Sequence, residues 1–288
     1  MPDSSENTVT SPRLARRRVA YGLAEMREEL GWSQKHAASV AGVGASRIAN
    51  VEIRRNLPSE DFLRTLLHAY EREDELDEYL ALRTIARQRD ASFRGLNKNE
   101  FLLGFDEFVD LESAAEQIDG YEHRVVPGIL QTRDYAARAI RARRSITNLE
   151  RKVEVRQQRQ RALTRESNPV HLWMIIEEQA LDRPVGAADV MRDQFNHLLT
   201  LAELPNVELQ IAPTSLGPHQ GMTSAFCLLR FRSPRDPGVV AVEVASRTIF
   251  LEDPGEITQF AYEMDHLRTL ALPQEASAEL INQKRKEL

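Results

Sequence analysis

The segment from Gln34 to Glu52 gathers side chains suited to reading a polyanion. Gln34, Ser46, Arg47 and Asn50 carry hydrogen-bonding groups, and Ala45 adds a small apolar one. Asparagine can pair bidentately with adenine, and an alanine methyl can meet the methyl of thymine. Arginines flank the segment at Arg16, Arg17 and Arg18 and again at Arg54 and Arg55. They are placed for phosphate contacts, or for a solvated surface. Acid–base chemistry has fewer candidates. Glu177, Glu178, His171 and His219 show neither the H-E-x-x-H spacing nor a nucleophile motif. Gly42-x-Gly44 has no strand before it and is not a nucleotide loop. The single cysteine, Cys227, rules out an intramolecular disulfide and a cysteine-based metal cluster. It lies in the apolar run Ala225–Leu229, so a buried thiol is expected. No catalytic residue, metal or cofactor is expected.

Two short helices that cross steeply must hold the reading residues. Close approach needs a small residue on the first, and Ala38 supplies it. The turn needs a left-handed residue, which Gly42 provides at little cost. Val43, Ile48 and Val51 then face inward, leaving Ala45, Ser46, Arg47, Ala49 and Asn50 outward. A helix over Arg13–Leu30 precedes the pair, with Val19, Leu23, Met26 and Leu30 as its apolar stripe. Gly31 ends it and Ser33 caps the next. Helices over Ser59–Tyr70 and Asp74–Gln88 follow. Charge is uneven along this stretch. Pro12–Pro58 holds nine basic and four acidic residues, a net +5; Ser59–Gly120 holds seven and sixteen, a net −9. Only the first stretch is suited to a polyanion.

These residues resemble the helix-turn-helix of Xre-type, lambda-repressor-like regulators. Gln34 falls on the first motif position, Ala38 on the small one, Gly42 on the turn, and Ile48 and Val51 on the core positions. The resemblance implies that Ala45, Ser46 and Asn50 read bases, that Gln34 starts the supporting helix near the backbone, and that Arg27 and Glu52 form a structural ion pair. Gly44 stands where the family places Ser or Thr as cap, so the reading surface is lean. Double-stranded DNA with a pseudopalindromic operator, bound by a homodimer, is the implied partner.

The remainder alternates helices with short β-branched runs. Helices are expected over Asp110–Ile118, Thr132–Arg143, Thr147–Thr164 (opened by a capping box at Thr147 and Glu150), Val190–Leu204 and Pro254–Leu270, with another at the end. Strands are expected over Val170–Ile176, Val207–Ile211, Thr223–Phe231, Val239–Val244 and Thr248–Glu252. Turn residues over Ser233–Gly238 make the last three strands antiparallel hairpins. Leu111-Glu112, Val126-Pro-Gly-Ile-Leu-Gln-Thr132, Tyr135-Ala136, Arg156-x-x-Arg159-Gln160, Ile176-x-Glu178 and Gly217-x-His219-x-Gly221 resemble the C-terminal domain of antitoxin-like, WhiJ-like regulators of actinomycetes. Where that family has a tyrosine–glutamate strand, Ala241-Val-Glu243 stands here. The resemblance implies a regulator encoded beside a small protein, with a domain that senses that protein or a ligand. Gln131, Arg156, Arg159, Gln160, Glu178 and His219 are the candidates for it. Packing is the plainer reading of Val126–Thr132, with Ile129 and Leu130 in the core. Arg156, Arg159 and Gln160 share a helix face and could bind an acidic partner or pair with Glu178.

The expected organisation is a disordered tail over 1–12, an all-α helix-turn-helix domain of about five helices over 13–90, and a linker over 91–107. An α+β domain with a mostly antiparallel sheet then covers 108–288. The polar first residues and the lack of a run near ~20 apolar residues lead to a cytoplasmic, non-membrane protein. A partner-neutralising antitoxin is the alternative to a DNA-binding repressor, and an enzymatic second domain is a further one.

Overall fold

A computed structural model describes residues 12–88, 103–142, 148–232 and 236–288. The chain divides into two compact units. The first comprises the residues before Leu96 together with the stretch Arg232–Asp236, and the second comprises the rest.

Among its described residues the first unit is all-helical. α1 spans Pro12–Glu29, α2 Gln34–Val40, α3 Ala45–Glu52, α4 Glu60–Ala69 and α5 Leu76–Ala86. Local sequence signals set these boundaries. Gly31 adopts φ 68° after α1, the Ser33 hydroxyl accepts from His36 N at 3.1 Å, and the Ser59 hydroxyl accepts from Phe62 N at 3.2 Å. Leu14, Val19, Leu23 and Met26 of α1 are buried with Leu63, Leu66 and Leu67 of α4 and Leu82 of α5. Leu30 lies beyond α1 and is 39% exposed, so the apolar stripe ends one turn earlier than its spacing suggests. The expected tail over 1–12 lies outside the described residues except for Pro12, which opens α1.

The second unit is α+β. Its helices are α6 (Phe105–Ala114), α7 (Arg133–Arg141), α8 (Leu149–Arg159), α9 (Arg161–Thr164), α10 (Glu178–Asp182), α11 (Ala188–Ala202), α12 (Pro254–Leu270) and α13 (Gln274–Lys286). Its strands are β1 (Gln117–Glu122), β2 (His171–Glu177), β3 (Val207–Ala212), β4 (Phe226–Arg230), β5 (Val239–Glu243) and β6 (Thr248–Leu251). They form one mixed sheet in the order β3-β2-β1-β4-β5-β6. The β1–β2 and β2–β3 pairs are parallel, as the helices between these strands require. The β1–β4, β4–β5 and β5–β6 pairs are antiparallel.

One strand departs from the sequence expectation. Asp110–Ile118 is not one helix: α6 occupies Phe105–Ala114, partly inside the expected linker, and β1 begins at Gln117. β1 reads Gln-Ile-Asp-Gly-Tyr-Glu and lacks the β-branched run of a buried strand. Tertiary contacts hold it instead. Asp119 is fully buried and accepts from Arg268 Nη2 at 2.6 Å and from Gln117 Nε2 at 2.8 Å. Tyr121 joins Ile175, Phe226, Leu228 and Val240 in the core under α12, against Ile257, Met264 and Leu267. The expected linker over 91–102, Arg143, the Thr147 cap and Ser233–Arg235 of the expected turn lie outside the described residues. α8 starts after Asn148, which has φ 55° and makes no side-chain cap. The run expected as one helix to Thr164 divides at Gln160 into α8 and α9.

Gly22 lies inside α1, where alanine would favour the helix by about 1 kcal/mol. A Cβ there would sit 1.9 Å from the hydroxyl of the buried Tyr79 on α5. The overlap costs about 1–3 kcal/mol, so Gly22→Ala is expected to lower stability in urea unfolding. In a Tyr79→Phe background the loss should shrink. A more stable Gly22→Ala protein would contradict this packing.

Candidate nucleic-acid interface

In the first unit, α2, the turn and α3 form the helix-turn-helix. Gly42 has φ 64° and open space beside it, so backbone conformation alone demands glycine there. Ala38, Ile48 and Val51 are buried, and Val43 is half-buried. Ala45, Ser46 and Arg47 are exposed at the start of α3, and Asn50 is half-exposed one turn later. Gly44 caps α3 without a side-chain bond.

A carboxylate fixes this helix. Glu52 accepts from Arg27 Nε at 2.6 Å and Nη2 at 3.0 Å, and from Gln34 Nε2 at 2.7 Å. Arg27 also donates to Trp32 O at 2.6 Å and Glu28 at 2.9 Å. Its guanidinium is held above its ordinary pKa by the hydrogen bond to Glu52, against the opposing effect of burial. One ion pair therefore ties α1, α2 and α3 together, and the Gln34 amide nitrogen serves this lock.

The flanking arginines separate. Arg17 is 2% exposed and donates to Asp236 at 3.0 and 2.7 Å, so the expected phosphate contact at Arg17 is corrected to a buried ion pair. Arg18 pairs with Glu78 at 2.6 Å. Arg16 bonds Ala86 O at 3.0 Å and lines a cavity of about 500 Å³ with Arg47, Arg54 and Arg55. No carboxylate is among its described lining residues. Arg47 stacks on Phe62 at 4.0 Å, which turns it toward this basic hollow rather than along the base-reading face. Arg55 Nη1 donates to Asn50 Oδ1 at 3.4 Å. Arg54 has φ 61°, a left-handed conformation that costs a non-glycine residue about 1–2 kcal/mol.

In the second unit the candidate residues fall into two places. Gln131 is buried; its amide donates to Val126 O at 2.6 Å and accepts from Arg156 Nη1 at 2.7 Å. Its carbonyl accepts from Gln157 Nε2 at 3.0 Å and also from Gln160 Nε2. Arg159 pairs with Glu112, Nη2 to Oε1 at 2.7 Å, and not with Glu178. Burial opposes the Arg159 charge, but Glu112 holds its pKa above the ordinary value. Gln131, Arg156, Arg159 and Glu112 line a second cavity of about 520 Å³. Val126–Thr132 packs as its composition suggests, with Ile129 and Leu130 buried and Thr132 capping α7.

Glu178 and His219 lie elsewhere. Glu178 accepts from Thr214 N at 2.9 Å and pairs with Lys284 at 3.0 Å. The Thr214 backbone bond leads the effects that lower its pKa. His219 Nε2 meets Glu177 Oε1 at 2.8 Å, and the Tyr121 hydroxyl donates to the same oxygen at 2.7 Å. Burial, then Glu177, raises the Tyr121 pKa. This cluster joins β1, β2 and the loop before β4. Sequence reasoning missed Tyr121 because the helix expected over Asp110–Ile118 runs into the first two residues of β1 and leaves Asp119–Glu122 without an element.

A family model described as a domain of unknown function, DUF5753, matches residues 105–283, more than half of the chain. The chain belongs to the DUF5753 family. A helix-turn-helix domain model matches residues 20–80. No curated protein matches the chain. In this DUF5753 protein the family domain thus follows a helix-turn-helix, the device of a DNA-binding regulator. No helix among the described residues is long and apolar enough to cross a membrane.

The lock on α3 gives a sharp expectation. Glu52→Gln leaves Arg27 buried beside a neutral partner, and breaking such a pair costs about 3–5 kcal/mol. Glu28 still offsets part of that charge, so the lower end is expected. Glu28→Gln, at a 68% exposed side chain, should cost less than about 1 kcal/mol. Equal losses for both in denaturant unfolding would refute the assignment of Glu52 as the anchor.

Proposed function

We propose that this protein is a sequence-specific Xre-type transcriptional repressor that binds a pseudopalindromic operator as a homodimer. Ala45, Ser46 and Asn50 read bases, and Arg47, Arg54 and Arg55 hold phosphates with Arg16. The carboxylate-free hollow lined by those four arginines beside α3 carries this reading. Half-sites one helical turn apart, about 34–36 Å, suit such a dimer. The DUF5753 domain is the sensor, as in the WhiJ-like regulators, and answers to a small protein encoded nearby or to a ligand. It is not an enzyme: Glu177 is shared by Tyr121 and His219 in a buried network that ties strand to loop. Acting on the chromosome places the protein in the cytoplasm.

Arg54 provides a second argument. A left-handed position after a helix is ordinarily filled by glycine. Keeping arginine there concedes stability, and strained positions concentrate at functional sites. Arg54→Gly should therefore relieve about 1 kcal/mol of backbone strain, offset by loss of the side chain's contact with the Tyr21 ring at 5.6 Å. It should also weaken binding to all DNA sequences alike and flatten the salt dependence. Asn50→Ala should cost about 1–3 kcal/mol of specific binding and relax one base position. An unchanged footprint with Asn50→Ala would overturn the recognition-helix assignment. Co-purification of a small partner with no operator occupancy would favour a neutralising antitoxin.

A further inference from the structure

The 520 Å³ cavity of the DUF5753 domain has a physical origin in three strands. Gly120 of β1, Cys227 of β4 and Ala241 of β5 lie side by side in register. All three are small, so the sheet presents a shallow floor there. Met174 of β2 covers Gly120; a Cβ at Gly120 would meet its thioether at 2.5–2.7 Å. Phe105 and Phe108 of α6 line the same cavity with aromatic rings. At about 520 Å³ the space lies within the ~300–1,000 Å³ typical of small-molecule sites.

The lining charge gives the ligand its sign. Five arginines and three glutamates (Glu112, Glu122 and Glu243) border the cavity, so positive charge is in excess by two. Glu112 is neutralised by Arg159. Glu122 is engaged by His123 N at 3.0 Å, Arg124 N at 2.9 Å and Arg124 Nε at 3.3 Å. Arg138 of α7 and Arg183 just after α10 both line the cavity and are exposed, and Arg183 Nε donates to Arg124 O at 2.9 Å. The Val126–Thr132 motif shapes the wall beside them. A Cβ on Gly128 would come within 3.1 Å of Arg159 Nη1 and 3.4 Å of Arg156 Nε, so the backbone lies directly against both guanidiniums.

We propose that this cavity binds a small organic anion, with an aromatic or other apolar body on the Met174–Cys227–Ala241 floor and its acidic group toward Arg138 and Arg183. This rests on the sensor reading of the DUF5753 domain and names the class of ligand.

The test uses the full-length protein without DNA, so its outcome is separate from operator binding. The probe is 8-anilinonaphthalene-1-sulfonate, an aromatic anion whose fluorescence rises in apolar sites. N-phenyl-1-naphthylamine, the same ring system without the sulfonate, is the neutral control. The sulfonate is expected to bind at least tenfold more tightly than the control. Arg138→Ala with Arg183→Ala should weaken the sulfonate about tenfold and leave the control within twofold. Ala241→Phe, which fills the floor, should abolish binding of both. If that variant does not fold, the double arginine variant decides alone, because both its sites are exposed. Equal affinity for the two probes, or sulfonate binding unchanged in the double arginine variant, overturns the proposal.

Discussion

The carboxylate of Glu52 is the point on which the DNA-facing half depends. It stands at the C-terminal end of α3 and is held by Arg27 from α1 and Gln34 from α2. A helix of eight residues cannot hold an orientation by its own hydrogen bonds. Ile48 and Val51 give it one buried face, but apolar contact does not fix rotation about its axis tightly. A bidentate guanidinium–carboxylate pair does, since it is directional as well as strong. The outward direction of Ser46 and Asn50 follows from where Glu52 is anchored. The lock also explains the lean cap at Gly44. With the far end of α3 fixed, the near end tolerates a glycine and leaves its first turn open toward a partner.

The second unit is organised around a different constraint, a polar central strand. β1 places Asp119, Gly120 and Tyr121 between β2 and β4. A buried carboxylate is costly unless it is paired, and Asp119 is paired with Arg268 of α12, which also stacks on Trp173 at 4.0 Å. Tyr121 and Glu177 continue the polar seam to His219. Paired groups of this kind favour one register, because a one-residue slip would bury each of them without its partner, although His219 Nδ1 and Arg268 Nε are buried without a hydrogen bond.

Legibility in the sequence divided along the same line. Features governed by neighbours in the chain could be read: the caps at Ser33, Ser59, Thr132 and Asp253, the turn at Gly42, and the β-branched or aromatic runs that form β2 to β6. Features governed by distant partners could not. β1 is held by Arg268, 149 residues away along the chain, and Arg17 is drawn inward by Asp236 at a separation of 219. Arg16, Arg17 and Arg18 look alike in sequence, yet their partners are a backbone carbonyl, a buried aspartate and an exposed glutamate. The parallel β1–β2 pair was hidden for the same reason, since it needs β1 to exist. Arg156 and Arg159 share a helix face, but their partners Gln131 and Glu112 come from other elements.

The cavity in the DUF5753 domain bears on why the fold keeps such features. Apolar sheet surface left uncovered beneath an open cleft forgoes about 25 cal/mol for each Å² that larger side chains would bury. Gly120, Cys227 and Ala241 are three small residues in one row of three neighbouring strands, where larger apolar residues would close the gap. Cys227 is half-buried and lines the cavity, and the burial of its thiol pushes its pKa up to about 12, which disfavours the reactive thiolate. The row of small residues leaves room for the cavity, and the hydrogen-bonded Gln131 node borders the same space. A fold that spends its buried polar groups on stiffening the wall of an unfilled space is built to preserve that space. Such departures from close packing are expected where a site must be preorganised rather than where stability alone is at stake.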